Sequence, residues 1–569
     1  MSLIDWIVLT ITLFSIVLYG IWKSRNMKTI DSYLLADKQL PWYHVGLSVM
    51  ATQASAITFL SAPGQGFSDG LRFVQFYFGL PLAMVVLCIT FVPIFHQLKV
   101  FTAYEFLEKR FDQKTRTLTA ALFLLQRGLS TGITIYAPAI ILSTLLNIEI
   151  TYTILLNGLL VVFYTVYGGT KAVSYTQLFQ MIIIFSGLIV AAILVVYMLP
   201  NEVSFIDALH IAGSMEKMNA IDTKLDWNNR YNLWSGIIGG FFLQLSYFGT
   251  DQSQVGRYLT GKSVKQSRLG LIMNALIKIP MQFFILLIGV LVFVFYQFHA
   301  SPIYFNQQEV LSLSKSVHQN KSAELQIQYE EYSNQKLFLA NEYVKAKGQN
   351  DEVNTNLLAK QLQTVNQQQS QIKNEFKKLV IQNNPTSDGN DTNYVFLSFV
   401  TKHFPIGLVG LIVAVIFLAA MGSTASGLNS LASTYVIDFH KKFSTKQLNP
   451  QQEVNLSRWV TFFWGVFCIA VAFYAGKLGN LIEAVNILGS LFYGTILGVF
   501  VVAFYIKKVN GTAVFYAALL AECFVVISWL TNLTAFLWLN VIGCVLVVLF
   551  AILLQLILNN KKKLGNKVE

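Results

Sequence analysis

Residues 417–430 read FLAAMGSTASGLNS, an abrupt change from a long apolar run to small and hydroxylic side chains. Ala419 and Ser423 lie four apart, which on a helix places a backbone carbonyl and a hydroxyl on one face. Hard, neutral oxygens without a full negative charge suit a weakly held monovalent cation. The same stretch also suits close packing, because Gly422, Ser426 and Ser430 recur every four residues and let backbones approach. Two further segments set polar groups into apolar surroundings. GLSVMATQASAITFLSAPGQG at 46–66 carries Thr52, Gln53, Ser55, Thr58 and Ser61, then weakens its helix at Pro63, Gly64 and Gly66; LQLSYFGTDQSQ spans 243–254. Arg127, within LLQRGLSTG at 124–132, is the most unusual residue of the chain. At membrane depth an arginine costs at least about 2.5 kcal/mol and faces a cavity or a partner. Its planar fork matches a carboxylate, but it could instead snorkel to water or pair with Glu483 or Glu522.

The elements that must hold these groups are transmembrane helices. Of 569 residues, 54% are hydrophobic and 12% charged, against roughly 25% charge in soluble domains. Apolar stretches at 4–22, 43–70, 73–97, 117–145, 151–167, 173–199, 233–254, 271–298, 404–437, 457–475, 481–506, 511–530 and 535–558 predict thirteen spans. The net charge of +12 concentrates in alternate loops: Lys23, Arg25, Lys28 and Lys38 after span one, Lys99 to Arg116 after span three, Lys171 after span five, and Arg257 to Arg268 after span seven. Lys441, Lys442 and Lys446 follow span nine, Lys507 and Lys508 follow span eleven, and Lys561 to Lys563 follow span thirteen. All fall on one side, so the expected N-terminus is outside, the C-terminus is cytosolic, and the membrane is the plasma (inner) membrane. The basicity is topological and implies no nucleic-acid partner. Cys88, Cys468, Cys523 and Cys544 have no metal-ligand spacing and read as apolar residues. The first apolar segment lacks a basic lead and a cleavage site, so it is expected to be retained.

Residues 299–403 interrupt the pattern with Gln, Asn, Lys and Glu, on the expected external face. Leu325, Tyr329, Tyr332, Leu339 and Tyr343, then Leu358, Leu362, Val365, Ile372, Phe376 and Leu379, recur at helical spacing. A helical hairpin over 322–346 and 357–381, turning at 347–351, is predicted. Spans two and seven stand five spans apart, and both are polar and Gly-interrupted. Matched interruptions in two five-span halves mark an inverted-repeat transporter whose unwound backbone offers carbonyls to an ion and amides to a solute. The expected division is 1–42 as an extra helix and loop, 43–199 as the first repeat, and 233–298 with 404–506 as the second. The insert at 299–403 and the C-terminal helices at 507–569 complete it.

SAITFL at 55–60, AYEFLEKRF at 103–111, IYAP at 135–138, YGG at 167–169, DQSQVGRYL at 251–259 and the stretch from Ser423 to Asp438 resemble the sodium/solute symporter family. This family includes sodium/glucose, iodide, multivitamin and sialic acid cotransporters. The resemblance covers spans one to eleven and implies an all-α membrane fold with a leucine-transporter-like core of five plus five helices. It implies a sodium site on the carbonyls of Ala51, Ala54 and Ala419 and on hydroxyls at 422 and 423. Position 422 is Gly422, so Ser423 remains and Thr424 would serve only if the helix rotates locally. An acid used by some members for a second sodium is here Gln177, which favours one sodium per turnover. The resemblance makes Tyr247 a cytosolic gate and puts Gln53, Thr58, Tyr77, Gln244 and Asn486 near the solute. Thr58 and Tyr77 replace longer side chains of the galactose pocket, which argues against a plain hexose. Lys278 is assigned a structural role.

These readings predict a sodium-coupled symporter that imports a small polar organic solute, with an acidic solute (a sugar acid or monocarboxylate) suggested by Arg127. The alternatives are a sodium-independent facilitator, raised by Gly422, and a solute sensor, disfavoured by the short tail. The expected partners are the solute, sodium and lipid, in a monomer or weak oligomer. No organic cofactor and no enzymatic chemistry are expected, since the spans show no nucleophile–base pair, metal cluster or phosphate loop.

Overall fold

A computed structural model of the chain describes residues 1–23, 38–146, 148–385, 387, 389–444 and 448–565. Arg25, Lys28 and Lys446, expected at the cytosolic face, lie outside the described residues, and the side chains of Lys171 and Lys561 to Lys563 are likewise not described. The described chain is helical, with one isolated bridge between Leu40 and Gly261.

Among the described residues, eleven helices are long and apolar enough to cross a membrane. Spans two and seven are the expected crossings missing from that set as continuous helices, and both are broken. Span two runs Trp42–Gln53, leaves helical geometry at Ala54 (φ −83°, ψ 78°) and Ser55 (φ −81°, ψ 174°), and resumes as Ala56–Asp69. The Ser55 N–H donates to the Gln53 carbonyl (3.1 Å) and the Thr58 N–H to the Ser55 carbonyl (2.9 Å). The helical ladder therefore does not close on the carbonyls of Ala51 and Ala54. Span seven runs to Thr250, breaks at Asp251 (φ −79°, ψ 116°) and resumes as Gln252–Tyr258. Its glycine, Gly249, stays helical; the break falls two residues later, where the Asp251 carboxylate caps the new helix by accepting the Ser253 N–H at 2.8 Å. Spans five and six, Ile150–Thr170 and Ala172–Tyr197, are two helices joined at a sharp kink at Gly169 (φ 55°, ψ −170°), a conformation that favours glycine.

Close approach fixes the broken helices in place. A Cβ on Gly289 of span eight would stand 1.9 Å from the Pro63 carbonyl of span two, so only glycine admits this crossing. Span nine, Leu408–Thr434, is buried around almost its whole circumference. Its small residues do pack: a Cβ at Gly427 would meet Thr131 Oγ1 of span four at 2.4 Å, and one at Gly422 would meet Gln180 Oε1 of span six at 2.6 Å. The two ends of span nine are held by charges. Buried Asp5 of span one accepts the N–H groups of Gly407 (2.7 Å) and Gly410 (3.0 Å). At the other end Arg116 pairs with Asp438 (2.6 Å) and Glu108 (2.5 Å), joining span four and the loop before it to span nine.

The insert forms the predicted hairpin with longer arms, Gln319–Gly348 and Glu352–Asn383, turning through Asn350 (φ 55°). Leu325, Tyr329, Ile372, Phe376 and Val380 close its core on Ile303, Tyr304 and Leu313. The hairpin leans on the membrane body through Lys347–Asp207 (3.4 Å) and Asn366–Gln297 (3.1 Å), and within the insert Lys373 pairs with Asp391 (3.0 Å).

Candidate functional site

The break in span two faces span nine. The Thr52 and Ser426 hydroxyls meet at 3.1 Å, so the broken segment that frees the carbonyls of Ala51 and Ala54 packs against the hydroxylic stretch of span nine. There the Ser423 hydroxyl lies 3.0 Å from the Ala419 carbonyl, to which it donates, so these two oxygens do share one helical face. Thr424 is the candidate the structure does not bring in: its hydroxyl shares a 3.1 Å hydrogen bond with Thr134 of span four. The 100° step between neighbouring helical residues separates the two: Thr424 reaches span four, whereas the Ser423 hydroxyl turns back to carbonyls of its own helix. Beside this cradle, Gln177 reaches in from span six. Its amide nitrogen donates to Ser426 Oγ (3.0 Å), Thr52 Oγ1 (3.2 Å) and the Gly422 carbonyl (3.2 Å), and its oxygen accepts from Ser48 (2.6 Å). A neutral amide thus gathers three oxygens that an acidic residue would leave for a cation.

Gln53, Thr58, Tyr77, Arg127, Gln244, Tyr247 and Asn486 all line one cavity of about 90 Å³. Spans two, three, four, seven and eleven converge there, the broken ones supplying Gln53 and Ser55 on one side and Gln244 and Tyr247 on the other. Gln53 Oε1 is buried without a hydrogen-bond partner, and its amide nitrogen lies 3.5 Å from Gln244 Oε1. Tyr77 covers Lys278, whose buried ammonium sits 5.7 Å from the ring centre and has no hydrogen-bond partner. The Tyr247 hydroxyl accepts from Gln254 (2.7 Å), and its ring lies 5.6 Å from the Arg127 guanidinium.

Arg127 does not snorkel, and neither Glu483 nor Glu522 is its partner. It pairs with Asp251 at the break in span seven, and Tyr493 donates to the same carboxylate oxygen at 2.8 Å. Glu483 is taken by Arg230 (2.6 Å) and Tyr231 (2.9 Å), while the Glu522 carboxylate has no hydrogen-bond partner among the described residues. The Asp251 pair leaves one edge of the fork over: among the described residues Arg127 Nε has no hydrogen-bond partner, and the side chain borders the cavity. Asp251 and Tyr493 are the site residues the sequence reading missed. Asp251 was visible as an acid inside a span, whereas Tyr493 sits in an apolar helix and gave no sign.

The model of the sodium:solute symporter family matches residues 33–314 and 377–521. The chain belongs to the sodium:solute symporter family. The unmatched interval corresponds to most of the insert. Over 519 residues, 90% of this chain and 86% of the relative, it is 25% identical to the sodium/sialic acid symporter SiaT of Proteus mirabilis (strain HI4320). It is 26% identical to the sodium/glucose cotransporter of Vibrio parahaemolyticus over 527 residues, 90% and 82% of the two chains. The human sodium/iodide cotransporter is 31% identical over 282 residues, 49% of this chain and 43% of that one. A solved structure of a Na+-coupled sialic acid symporter, in its substrate-bound outward-open state, superposes with a TM-score of 0.75 at 23% identity and covers 98% of each chain. The chain is therefore a multi-pass membrane symporter with sodium as coupling ion and a small solute as cargo. It has the fold of that transporter and is not an enzyme.

Proposed function

We propose that this symporter couples the inward gradient of one sodium ion to the import of a small acidic organic solute. The observation that carries the solute class is Arg127: a guanidinium that borders the central cavity and keeps one nitrogen unpartnered beyond its Asp251 pair. Sodium is held by the carbonyls of Ala51, Ala54 and Ala419 and the hydroxyl of Ser423, with Gly422 offering no side-chain oxygen. Because span two carries both the freed carbonyls and the cavity residues Gln53 and Thr58, ion binding sets the position of the solute wall. Gln177 supports a single sodium, since its amide engages the neighbouring oxygens. Tyr247, Tyr493 and the Arg127–Asp251 pair close the cavity toward the proposed cytosolic side. Several relatives are named for anions: sialic acid, iodide and monocarboxylates.

A neutral hydroxylated solute is the second reading, favoured by the fact that Asp251 already compensates Arg127. Proteoliposome uptake of matched acid and neutral pairs, such as gluconate with glucose and lactate with glycerol, decides between them. The acidic reading expects the acid of a pair to be accumulated and the neutral member to be ignored. Preference for the neutral member overturns the solute class and leaves symport standing.

A further inference from the structure

Between the insert and the membrane body lies a second cavity, of about 470 Å³, a size that holds small organic ligands. Tyr329, Lys336 and Gln369 of the hairpin form one wall, and Phe67, Phe293 and Tyr296 at the ends of spans two and eight form the other. Lys217, Lys336, Lys373 and Lys377 border it, against the carboxylates of Glu216 and Asp391. Lys373 is matched by Asp391 at 3.0 Å and Glu216 by Arg72 at 3.8 Å. The Lys217 ammonium donates to the Ser68 carbonyl and lies 4.8 Å from the Phe293 ring centre. Lys336 differs. It is 3% exposed, and its ammonium donates only to the neutral Gln369 Oε1 at 2.9 Å. Among the described residues no carboxylate stands within ion-pair distance of it. Tyr296 also lines this cavity, and its buried hydroxyl has no hydrogen-bond partner among the described residues.

We propose that this cavity is a binding site for a small hydroxylated organic anion, with Lys336 meeting its acid group. A buried cation with only an amide beside it lowers stability unless a counter-ion arrives. Gln367, Ser370 and Asn374 present polar groups from one helical face for hydroxyls, together with Tyr296. Phe67 and Phe293 offer ring faces to a carbon skeleton. Burial lowers the Lys336 ammonium to about 7, and a bound anion would restore the charged form. The hairpin wall lies within 315–376, the interval the family model passes over, so the site belongs to this chain's insert. It is independent of what the central cavity carries.

The test uses the full-length protein in nanodiscs, acetylated with acetic anhydride while gluconate or its uncharged counterpart glucose is titrated in. Mass spectrometry reads modification at each lysine. Gluconate is expected to slow acetylation of Lys336 at least about tenfold, without effect on the exposed hairpin lysines Lys321 and Lys345, and glucose is expected to do nothing. Unchanged labelling of Lys336, or equal protection by glucose, overturns the proposal. The same titration on Arg127→Gln/Asp251→Asn, which removes the charges of the central cavity, should leave Lys336 protection intact. Its disappearance there would show that gluconate acts from the central cavity and would also overturn the proposal.

Discussion

Arg127 and Asp251 lie 124 residues apart and meet as opposite charges, the carboxylate fully buried and the guanidinium largely so. Removing one partner of such a pair strands the other and costs about 3–5 kcal/mol. Arg127→Gln or Asp251→Asn alone is therefore expected to lower the melting temperature in detergent strongly, and the double variant to regain most of the loss. Additive losses in the double variant would show that the pair is not a unit. Ser423→Ala removes one neutral oxygen from the proposed ion cradle. The sodium concentration for half-maximal uptake should rise at least about tenfold with solute selectivity unchanged, and an unaltered sodium requirement would move the ion elsewhere. At this scale the sequence revealed that Arg127 needs a partner but not which one. Glu483 and Glu522 were as visible as Asp251, and only the packing of spans four and seven decides. Thr424 shows the same limit: its type suited a ligand, and its angular position made it a partner of Thr134.

Helices were more legible than contacts. The polar residues of span two announced a break, because a continuous helix at membrane depth has no use for Thr52, Gln53 and Ser55 together. In span seven the glycine misled, since Asp251 supplies a cap and the break follows the cap rather than Gly249. The hairpin was readable from Leu325, Tyr329, Ile372 and Phe376, but its lean on the body was not, because Lys347 and Asn366 look like ordinary surface residues. That lean makes deletion of 312–383 a sharp test. The reading expects sodium-driven uptake to persist, since the central cavity takes no residue from the insert. Loss of uptake in a variant that reaches the membrane would place the hairpin in the transport cycle. Lys336 also gives the hairpin a pH dependence. Its folded value of about 7 lies below its ordinary 10.5, so the unfolded chain binds the extra proton between those values. Its destabilising effect is complete below about 7 and fades as pH rises toward 10.5. Lys336→Met should therefore gain most in melting temperature over the native chain near pH 6 and least near pH 10; a gain independent of pH would contradict this.

On the scale of the whole molecule, a core of broken helices is held at both ends of span nine, by Asp5 at one and by Arg116 with Asp438 at the other. In the proposed function, one element, span two, borders both the ion and the solute and so couples them. Composition made the membrane class legible, whereas the solute stays outside what pattern can specify, since it depends on a handful of side chains around one cavity. The most direct measurement is uptake of the preferred solute into proteoliposomes under an inward sodium gradient, compared with equal gradients of potassium or choline. The account predicts transient accumulation above the external concentration with sodium alone, abolished when the gradient is collapsed. Uptake that only equilibrates, and does so equally in potassium or choline, would contradict it.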